Sequence, residues 1–308
     1  MRKLILAALA SFVAGQGVAQ EEIKFSSFVN RMHIVDQTII APMQEAYKKL
    51  VGDLSEIVVY DSMSLAGPGR AQWDLVVAGG ADMTFSLPTY TQDVHALTLQ
   101  FELPGLYKDT VEGTNVLWDN IDFFDHDFAG MKIIALWFFD APALITRDKP
   151  VYTLADIRGM KIRVTSPAHA RIIKAWGGNP VFSPLPEAYG DLESGKVDAL
   201  YIAATAMEDF KFYEPANFVT VNLPPTLGLM YIVMDEDKYN SLSEVERNAI
   251  DSLSGREPSL KIAEQFQNAR PRAIELARAN GVQIIELTPF QVQAFTDRFP
   301  FTVGQSGE

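Results

Sequence analysis

The chain has 308 residues and no cysteine, which excludes disulfides, thiol nucleophiles and thiolate metal sites. Its 39 acidic residues outnumber its 26 basic ones, and the formal net charge of −13 argues against nucleic acid or an anionic membrane as a partner. A chain of this length favours two lobes rather than one.

The first 19 residues have the pattern of a cleavable signal peptide. Met1–Lys3 is basic, Leu4–Val13 is apolar, and Gly17-Val18-Ala19 offers a small-x-small cleavage site. The apolar run is too short to span a bilayer. A buried helix at the start of the domain is the alternative, but it does not explain this order of residues. We therefore expect a periplasmic protein that is secreted and loses residues 1–19.

The first half of the chain alternates between predicted strands and helices. Apolar residues at Ile39, Met43 and Tyr47 lie on one stripe of a helix. The predicted strands are 23–28, 57–61, 83–85 and 132–138, and the predicted helices are 39–50, 70–77 and 111–120. This order is typical of an α/β lobe.

Between residues 154 and 200 the pattern changes repeatedly between strand and helix. The predicted strands are 160–164, 181–182 and 196–201, and the predicted helices are 168–176 and 185–192. Such βαβ units favour a parallel sheet with right-handed crossovers. Arg163 lies in the first strand and is either a surface residue beside Lys161 or a binding group. Its guanidinium offers a planar, always charged fork to a carboxylate.

The chain is predicted to cross into a second lobe near Asp140 and to return near Gly228. A strand over 229–234 follows, then a helix over 255–280, a strand over 282–287 and a helix over 289–298. The long helix has apolar positions on more than one face, so we expect it to bridge both lobes. The predicted lobes are 20–140 plus 228–262 and 141–227 plus 263–308. Such lobes enclose a hinged cleft at the carboxyl ends of their strands.

Four motifs in the second lobe are spaced as in a known family. They are LADIRGMKIRV at 154–164, GNP at 178–180, EAY at 187–189 and GKVDA at 195–199. Together they resemble the signature region of the DctP-type solute-binding proteins of TRAP (tripartite ATP-independent periplasmic) transporters. The resemblance implies an α/β, two-lobed periplasmic binding protein fold, type II-like, with a hinged inter-lobe cleft. It also implies that Arg163 grips the carboxylate of a small organic acid, which the protein delivers to membrane permease subunits.

The stretches that contact sugar acids in the best-known family members are apolar here. Those members carry polar or charged side chains in the stretches corresponding to 86–88, 138–143 and 199–204. This chain has Leu87, Ala143 and Ile202 within them. Each unmet hydroxyl of a polyol would cost about 1–3 kcal/mol in such a cleft. We therefore expect a monocarboxylate with an apolar or aromatic body, unless these loops are shifted in register by one or two residues.

The predicted substrate-binding residues lie at or near predicted strand ends. They are Arg163, Phe28, Asn30, Phe85, Leu87, Trp137, Phe138, Ser166, Phe182, Leu185 and Tyr201. An aromatic side chain at a strand end is also common in a protein core, so each aromatic residue has this second interpretation. His33, close to Asp36, indicates a hydrogen bond at a helix start. We expect no cofactor, no metal, no catalytic residues and a monomer.

Signals for catalysis are weak in this sequence. His33, His95, His126 and His169 show no HxxxH or HExxH spacing, and no GxSxG motif is present. The acidic cluster at 122–127 is interpreted as a solvated loop rather than a metal site. A periplasmic enzyme that acts on a carboxylate in the same cleft is the weaker alternative. A ligand-sensing protein of the same fold is a second alternative, which the sequence does not separate from a transport protein.

Overall fold

The computed structural model describes residues 21–103, 105–224 and 226–299, and the predicted signal peptide lies outside the described residues. Two groups of strands form two separate sheets. The strands are β1 (Glu21–Ser26), β2 (Ser55–Tyr60), β3 (Met83–Ser86), β4 (Met131–Phe139), β5 (Pro142–Thr146), β6 (Lys161–Val164), β7 (Asn179–Phe182), β8 (Ala199–Ala203), β9 (Phe218–Val221), β10 (Gly228–Asp235) and β11 (Gln283–Glu286).

Helices connect and cover these strands. They are α1 (Ala41–Val51), α2 (Arg70–Val77), α3 (Thr110–Asp119), α4 (Leu154–Ile157), α5 (Pro167–Ala175), α6 (Ala188–Ser194), α7 (Ala206–Asp209), α8 (Glu236–Ser241), α9 (Glu244–Ser252), α10 (Arg256–Ala279) and α11 (Pro289–Thr296). The predicted helix over 185–192 is a 3₁₀ turn, Leu185–Glu187, followed by α6. In the ranges described here, no helix is long and apolar enough to cross a membrane.

The first sheet has five strands in the order β2-β1-β3-β10-β4. β1 runs parallel to β2 and β3, whereas β10 runs antiparallel to β3 and β4. Ile23 and Phe25 of β1 share one core with Met83 of β3, because alternate side chains of a strand point to the same face. The chain leaves this sheet after β4 and returns to it with β10.

The second sheet has six strands in the order β11-β9-β5-β8-β6-β7. β6 runs parallel to β7 and β8, in agreement with the βαβ arrangement expected from the sequence. β5 runs antiparallel to β8 and β9, and the sequence analysis predicts neither β5 nor β9. Two sheets with separate hydrophobic cores confirm the two-lobed α/β architecture.

The helix α10 joins the two halves of the molecule. Ile262 and Phe266 in its first part belong to the core beneath the first sheet, and Ala277 near its end belongs to a core of the second sheet. Pro271 lies between these two parts. A proline inside a helix removes one backbone hydrogen bond and favours a kink. The expected long helix that bridges both lobes is therefore confirmed.

Candidate functional site

A narrow cavity lies between the two sheets, where parallel strands of both have their carboxyl ends. Phe28 follows β1, Leu87 follows β3, Thr165 follows β6 and Ala203 ends β8, and all of them line the cavity. The carboxyl ends of parallel strands are where α/β proteins bind ligands. The cavity has a volume of about 60 Å³. A larger ligand would therefore have to enter while the walls are apart.

Arg163 is completely buried in β6, between β7 and β8. Its Nε and Nη2 atoms donate hydrogen bonds to the carbonyl oxygen of Ser183 over 3.1 and 2.9 Å. Among the described residues, its Nη1 atom has no hydrogen-bond partner. Burial lowers the pKa of Arg163, but a guanidinium stays protonated at physiological pH. The strand thus holds a buried positive charge with an unused donor.

The carboxylate that acts electrostatically on Arg163 forms its ion pair with a different residue. Asp191 acts on Arg163 electrostatically, yet its Oδ1 atom lies 2.8 Å from Lys196 Nζ. In the part of the chain that the structure describes, no carboxylate forms an ion pair with Arg163. A buried charge without a partner is unfavourable, so this arrangement can bind an anion.

Tyr90 and His169 connect Arg163 with the cavity. Both line the cavity, and the charge of Arg163 lowers the pKa of each of them. Burial is the larger effect on both groups; it raises the pKa of Tyr90, and with Arg163 it lowers the pKa of His169 to about 4. His169 is therefore neutral at neutral pH. Arg163 therefore acts electrostatically on two neutral, cavity-lining side chains that can donate hydrogen bonds.

His33 and Asp209 form a second polar feature of the cavity wall. The Nδ1 atom of His33 accepts a hydrogen bond from the Val35 N–H over 3.2 Å, so the helix-start hydrogen bond exists, but with Val35 rather than with Asp36. The Nε2 atom of His33 lies 3.6 Å from Oδ2 of Asp209. Asp36 forms an ion pair with Arg31; the distance between Arg31 Nη1 and Asp36 Oδ2 is 3.1 Å.

Several residues predicted to bind substrate meet in the cavity. Phe28, Phe85, Leu87 and Leu185 all contribute to its lining. The rings of Phe28 and Phe85 stack with their centroids 5.1 Å apart. Trp137 stacks on Phe85 over 6.1 Å but does not line the cavity, so it supports the wall from a second layer. These contacts make an aromatic surface on the side of the first sheet.

Other predicted residues lie away from the cavity lining. Phe138 packs into a different core on the other face of β4. The Tyr201 hydroxyl is hydrogen-bonded to Thr226 Oγ1 over 2.9 Å inside the second lobe. The Ser166 hydroxyl caps α5 by accepting a hydrogen bond from the His169 N–H. The structure thus does not bring these three side chains to the cavity.

Phe182 and Asn30 are exposed to solvent. Phe182 borders an open groove that Leu185 and Tyr90 also line, next to the Arg163 strand. The Asn30 side chain accepts a hydrogen bond from the Met32 N–H over 2.8 Å. For both residues, a role in ligand binding stays a prediction.

The sequence analysis missed several side chains of the cavity wall. Tyr90 lies in a short 3₁₀ turn after β3, and Asp209 and Phe210 lie at the end of the one-turn helix α7. Neither turn has the periodicity that reveals a longer helix. The available signal was their position, since each of these turns follows closely on a strand whose carboxyl end faces the cleft.

The acidic loop at 122–127 has a structural role in part. Asp127 is buried and accepts hydrogen bonds from the N–H and Oγ1 of Thr98 over 2.7 and 2.9 Å, so the interpretation as a solvated loop is wrong for this residue. Asp122 and Asp125 are exposed, as expected. Across the residues that the structure covers, no group of three or more His, Asp or Glu side chains is arranged to hold a metal ion.

Comparison with known proteins places this architecture in a family. The family model of DctP, described as bacterial extracellular solute-binding protein, family 7, matches residues 25–301. The 2,3-diketo-L-gulonate-binding periplasmic protein YiaO of Escherichia coli (strain K12) is 26% identical over an alignment of 304 residues that covers 96% of this chain and 89% of the relative.

Solved structures share the same fold. A marine metagenome TRAP solute-binding protein specific for aromatic acid ligands, in complex with metahydroxyphenylacetate, has a TM-score of 0.86 and 22% identity over 91% of this chain and 89% of its own. A TRAP solute-binding protein of Rhodoferax ferrireducens T118, in complex with copurified benzoate, has a TM-score of 0.83 and 22% identity over 90% of this chain and 88% of its own. With the family match across nearly the whole described length, these likenesses lead to one conclusion: this chain belongs to the DctP family of bacterial extracellular solute-binding proteins.

Proposed function

We propose that this protein captures a monocarboxylate with an aromatic or branched apolar body in the cavity between its lobes. The protein then delivers the acid to the membrane permease of a TRAP transporter. The observation that carries the proposal is Arg163, a buried guanidinium that has an unused donor and no ion-pair partner in the described part of the chain.

The environment of Arg163 favours a carboxylate as the bound anion. The carbonyl oxygen of Ser183 accepts hydrogen bonds from two of the guanidinium nitrogens. These bonds fix the orientation of the guanidinium and therefore of its free Nη1 donor. Pre-organised arginine binds a carboxylate through short, charge-assisted hydrogen bonds. Tyr90 and His169 line the cavity and interact electrostatically with Arg163, so they are the residues that would rearrange or share the anion when it binds.

The cavity lining favours an apolar body for the same ligand. Phe28 and Phe85 offer stacked rings, and Leu87, Ile202 and Met230 add aliphatic and thioether surface. A polyol in these surroundings would leave hydroxyls unpaired, at about 1–3 kcal/mol for each one. An aromatic ring would instead gain stacking and edge contacts.

The names of the relatives indicate two different classes of ligand. The relative from Escherichia coli is named for a sugar acid, whereas the two solved structures hold an aromatic acid each. At these identities the names alone do not decide the ligand. The apolar lining described above is what supports an aromatic acid over a sugar acid for this chain.

We also propose the cellular setting and the lobe boundaries. Residues 1–19 would direct export to the periplasm and be removed, which agrees with the periplasmic address of the family. The lobes would be 20–140 plus 228–262 and 141–227 plus 263–308; β4 and β10 belong to one sheet and β5 and β9 to the other, and Phe266 of α10 still packs on the first sheet. The protein would act as a non-catalytic, monomeric carrier.

Calorimetry on ligand-free protein tests the proposal. The panel contains benzoate, phenylacetate, a branched aliphatic acid, glucuronate, sialic acid and succinate. We expect binding of the aromatic or branched monocarboxylates and weak or no binding of the others. Tight binding of a uronate, sialic acid or a dicarboxylate, with no binding of the apolar acids, would overturn the proposed ligand class.

Variants test the role of Arg163 in the same assay. Arg163→Ala should weaken carboxylate binding by about 2–5 kcal/mol, because a desolvated charge pair is lost. The matched control is Arg158→Ala, which removes an exposed arginine just before the same strand and should bind normally. Wild-type affinity in a folded Arg163→Ala protein would refute the assignment.

A further inference from the structure

The pair formed by His33 and Asp209 is a polar feature in a mostly apolar wall. His33 follows β1 of the first sheet, and Asp209 ends α7, which follows β8 of the second sheet. The 3.6 Å between Nε2 and Oδ2 is longer than a hydrogen bond between nitrogen and oxygen. The two groups therefore face each other across the cleft without satisfying each other.

The hydrogen bonds of His33 define what it offers to the cavity. Its Nδ1 atom accepts from the Val35 N–H, so the neutral ring carries its proton on Nε2, the atom that faces Asp209. Burial lowers the pKa of His33 to about 3, which keeps the ring neutral. Burial, assisted by the charge of Glu208, raises the pKa of Asp209 to about 7. Above that pH, the wall presents one N–H donor beside one carboxylate acceptor.

A single hydroxyl group matches this donor and acceptor. A hydroxyl can accept the hydrogen bond of His33 and donate its own proton to Asp209 at the same time. The two atoms to be bridged, His33 Nε2 and Asp209 Oδ2, are 3.6 Å apart. A hydroxyl oxygen that lies to one side of the line between them can be about 2.8 Å from both. An amine or a second carboxylate satisfies only one of the two groups.

The surroundings of the pair fit the same ligand as the rest of the cavity. The ring of His33 lies 6.4 Å from that of Phe85 and 5.8 Å from that of Phe210, measured between centroids. A ligand hydroxyl that reached His33 would therefore be attached to a body packed among aromatic rings. A ligand without the hydroxyl would leave the Nε2 donor of His33 without a partner in a desolvated place, whereas Asp209 would keep only the hydrogen bond from the Ile34 backbone N–H.

We propose that His33 and Asp209 together bind a hydroxyl group of the solute, so that the preferred ligand is a hydroxylated aromatic monocarboxylate. This inference rests on the proposed function and refines its substrate class. His33 and Asp209 are specificity-determining residues in this view, and Arg163 remains the group that binds the carboxylate. Because the pair spans both lobes, the hydroxyl also links them.

Calorimetry on the ligand-free wild-type protein at pH 8, with benzoate and the three hydroxybenzoates as probes, tests the inference. We expect at least one hydroxybenzoate to bind about 10- to 100-fold more tightly than benzoate. If benzoate binds as tightly as every hydroxybenzoate, the inference is wrong while the proposed function stands. If none of the four acids binds, the aromatic ligand class itself fails, and the inference fails with it.

Two variants separate hydroxyl binding from a purely structural contact. Asp209→Leu is nearly isosteric and removes the carboxylate acceptor. His33→Asn removes the Nε2 donor but keeps a side-chain acceptor for the Val35 N–H. Each should abolish the preference for the hydroxybenzoate, measured as the ratio of its affinity to that of benzoate in the same variant. The matched control, Glu208→Leu, removes the neighbouring carboxylate outside the cavity and should retain the preference. A preference that persists in both cavity variants would show that the pair only holds the lobes together.

Discussion

Three buried charged side chains have different degrees of compensation. Asp140 is hydrogen-bonded to Thr205 and faces Arg270, whereas the only hydrogen-bond partner of Arg163 among the described residues is the carbonyl oxygen of Ser183. Glu102 accepts one hydrogen bond from the Leu229 N–H over 2.7 Å. Structural charges are normally compensated inside the chain. The incomplete compensation of Arg163 is therefore the residue-scale feature that points to an external anion.

Glu102 gives a prediction for the pH dependence of stability. Burial raises its pKa to about 8 from 4.5, so the folded state keeps a proton that the unfolded state releases between these values. The stability linked to this proton is complete below about pH 4.5 and is lost as the pH rises through 8. Glu102→Gln keeps an acceptor for Leu229 and cannot ionise. We expect it to unfold at higher urea than the wild type at pH 8.

The comparison must be made at two pH values. At about 1.4 kcal/mol per pKa unit, the advantage of Glu102→Gln at pH 8 should amount to a few kcal/mol, and it should disappear near pH 4.5. Glu257→Gln, on the exposed first turn of α10, is the control and should show no such pH-dependent gain. An equal effect of Glu102→Gln at both pH values would mean that proton linkage is not its cause.

At the scale of elements, Asp140 joins three segments at the crossing between the sheets. It lies between β4 and β5; its Oδ1 atom accepts from Thr205 Oγ1 over 2.7 Å at the start of α7. Arg270 of α10 lies 3.4 Å from its Oδ2 atom and also donates to the carbonyl of Ala141. This network holds a strand crossing, a helix start and the bridging helix together.

Removal of the Asp140 carboxylate should destabilise the protein. Asp140→Ala leaves Arg270 without its carboxylate partner and Thr205 without its acceptor in a buried place, at a cost of about 3 kcal/mol. Asp148→Ala is the matched control, because it removes an exposed carboxylate from a surface pair with Arg147 and should cost less than about 1 kcal/mol. Urea unfolding of both variants checks the difference. Similar stabilities for the two would mean that the junction is not held by Asp140.

Several long elements could be predicted from the sequence with accurate bounds, whereas β5, β9 and α7 could not be predicted. The pattern gives α2 over its observed bounds, and α10 and β4 to within one residue at each end, because many apolar positions define their periods. β5 begins with Pro142, and only Asp140 and Ala141 separate it from β4, so the two strands lie in one mostly apolar stretch. β9 has four residues and α7 one turn. Such short segments are stabilised by their neighbours rather than by their own propensities.

The same physical reason limits prediction of the site. Phe28, Phe85 and Leu87 could be expected in the cavity because strand ends are visible in the pattern. Tyr90 and Asp209 could not, because they lie in single turns whose direction is set by packing. Phe138 was expected beside the ligand, yet alternation along β4 turns it to the opposite face from Trp137.

At the scale of the whole molecule, the connections between the sheets suit a hinge. The chain passes between the sheets after β4, returns before β10, and passes again along α10, where Pro271 interrupts the helical hydrogen bonding. The cavity has a volume of only about 60 Å³, so a ring-bearing acid cannot enter without separation of the walls. Hinged lobes allow this separation with few changes in backbone angles.

We expect the ligand-free protein to be predominantly open in solution and the loaded protein to be closed. A ligand shifts this equilibrium only if it binds the closed form more tightly, which requires contacts to both lobes. We expect Arg163 in the second sheet and the rings of Phe28 and Phe85 beside the first sheet to supply such contacts. Small-angle X-ray scattering should therefore give a smaller radius of gyration after saturation with the tightest-binding acid of the calorimetric panel.

Arg163→Ala provides the control for closure. At the same ligand concentration this variant should keep the radius of gyration of the free wild-type protein, because the contact from the second lobe is missing. The permease would then receive no closed, loaded protein, and transport of the acid by reconstituted permease should stop. A radius of gyration that stays constant when wild-type protein is saturated would mean that binding does not close the cleft. Recognition of the loaded form would in that case require a signal other than the relative position of the lobes.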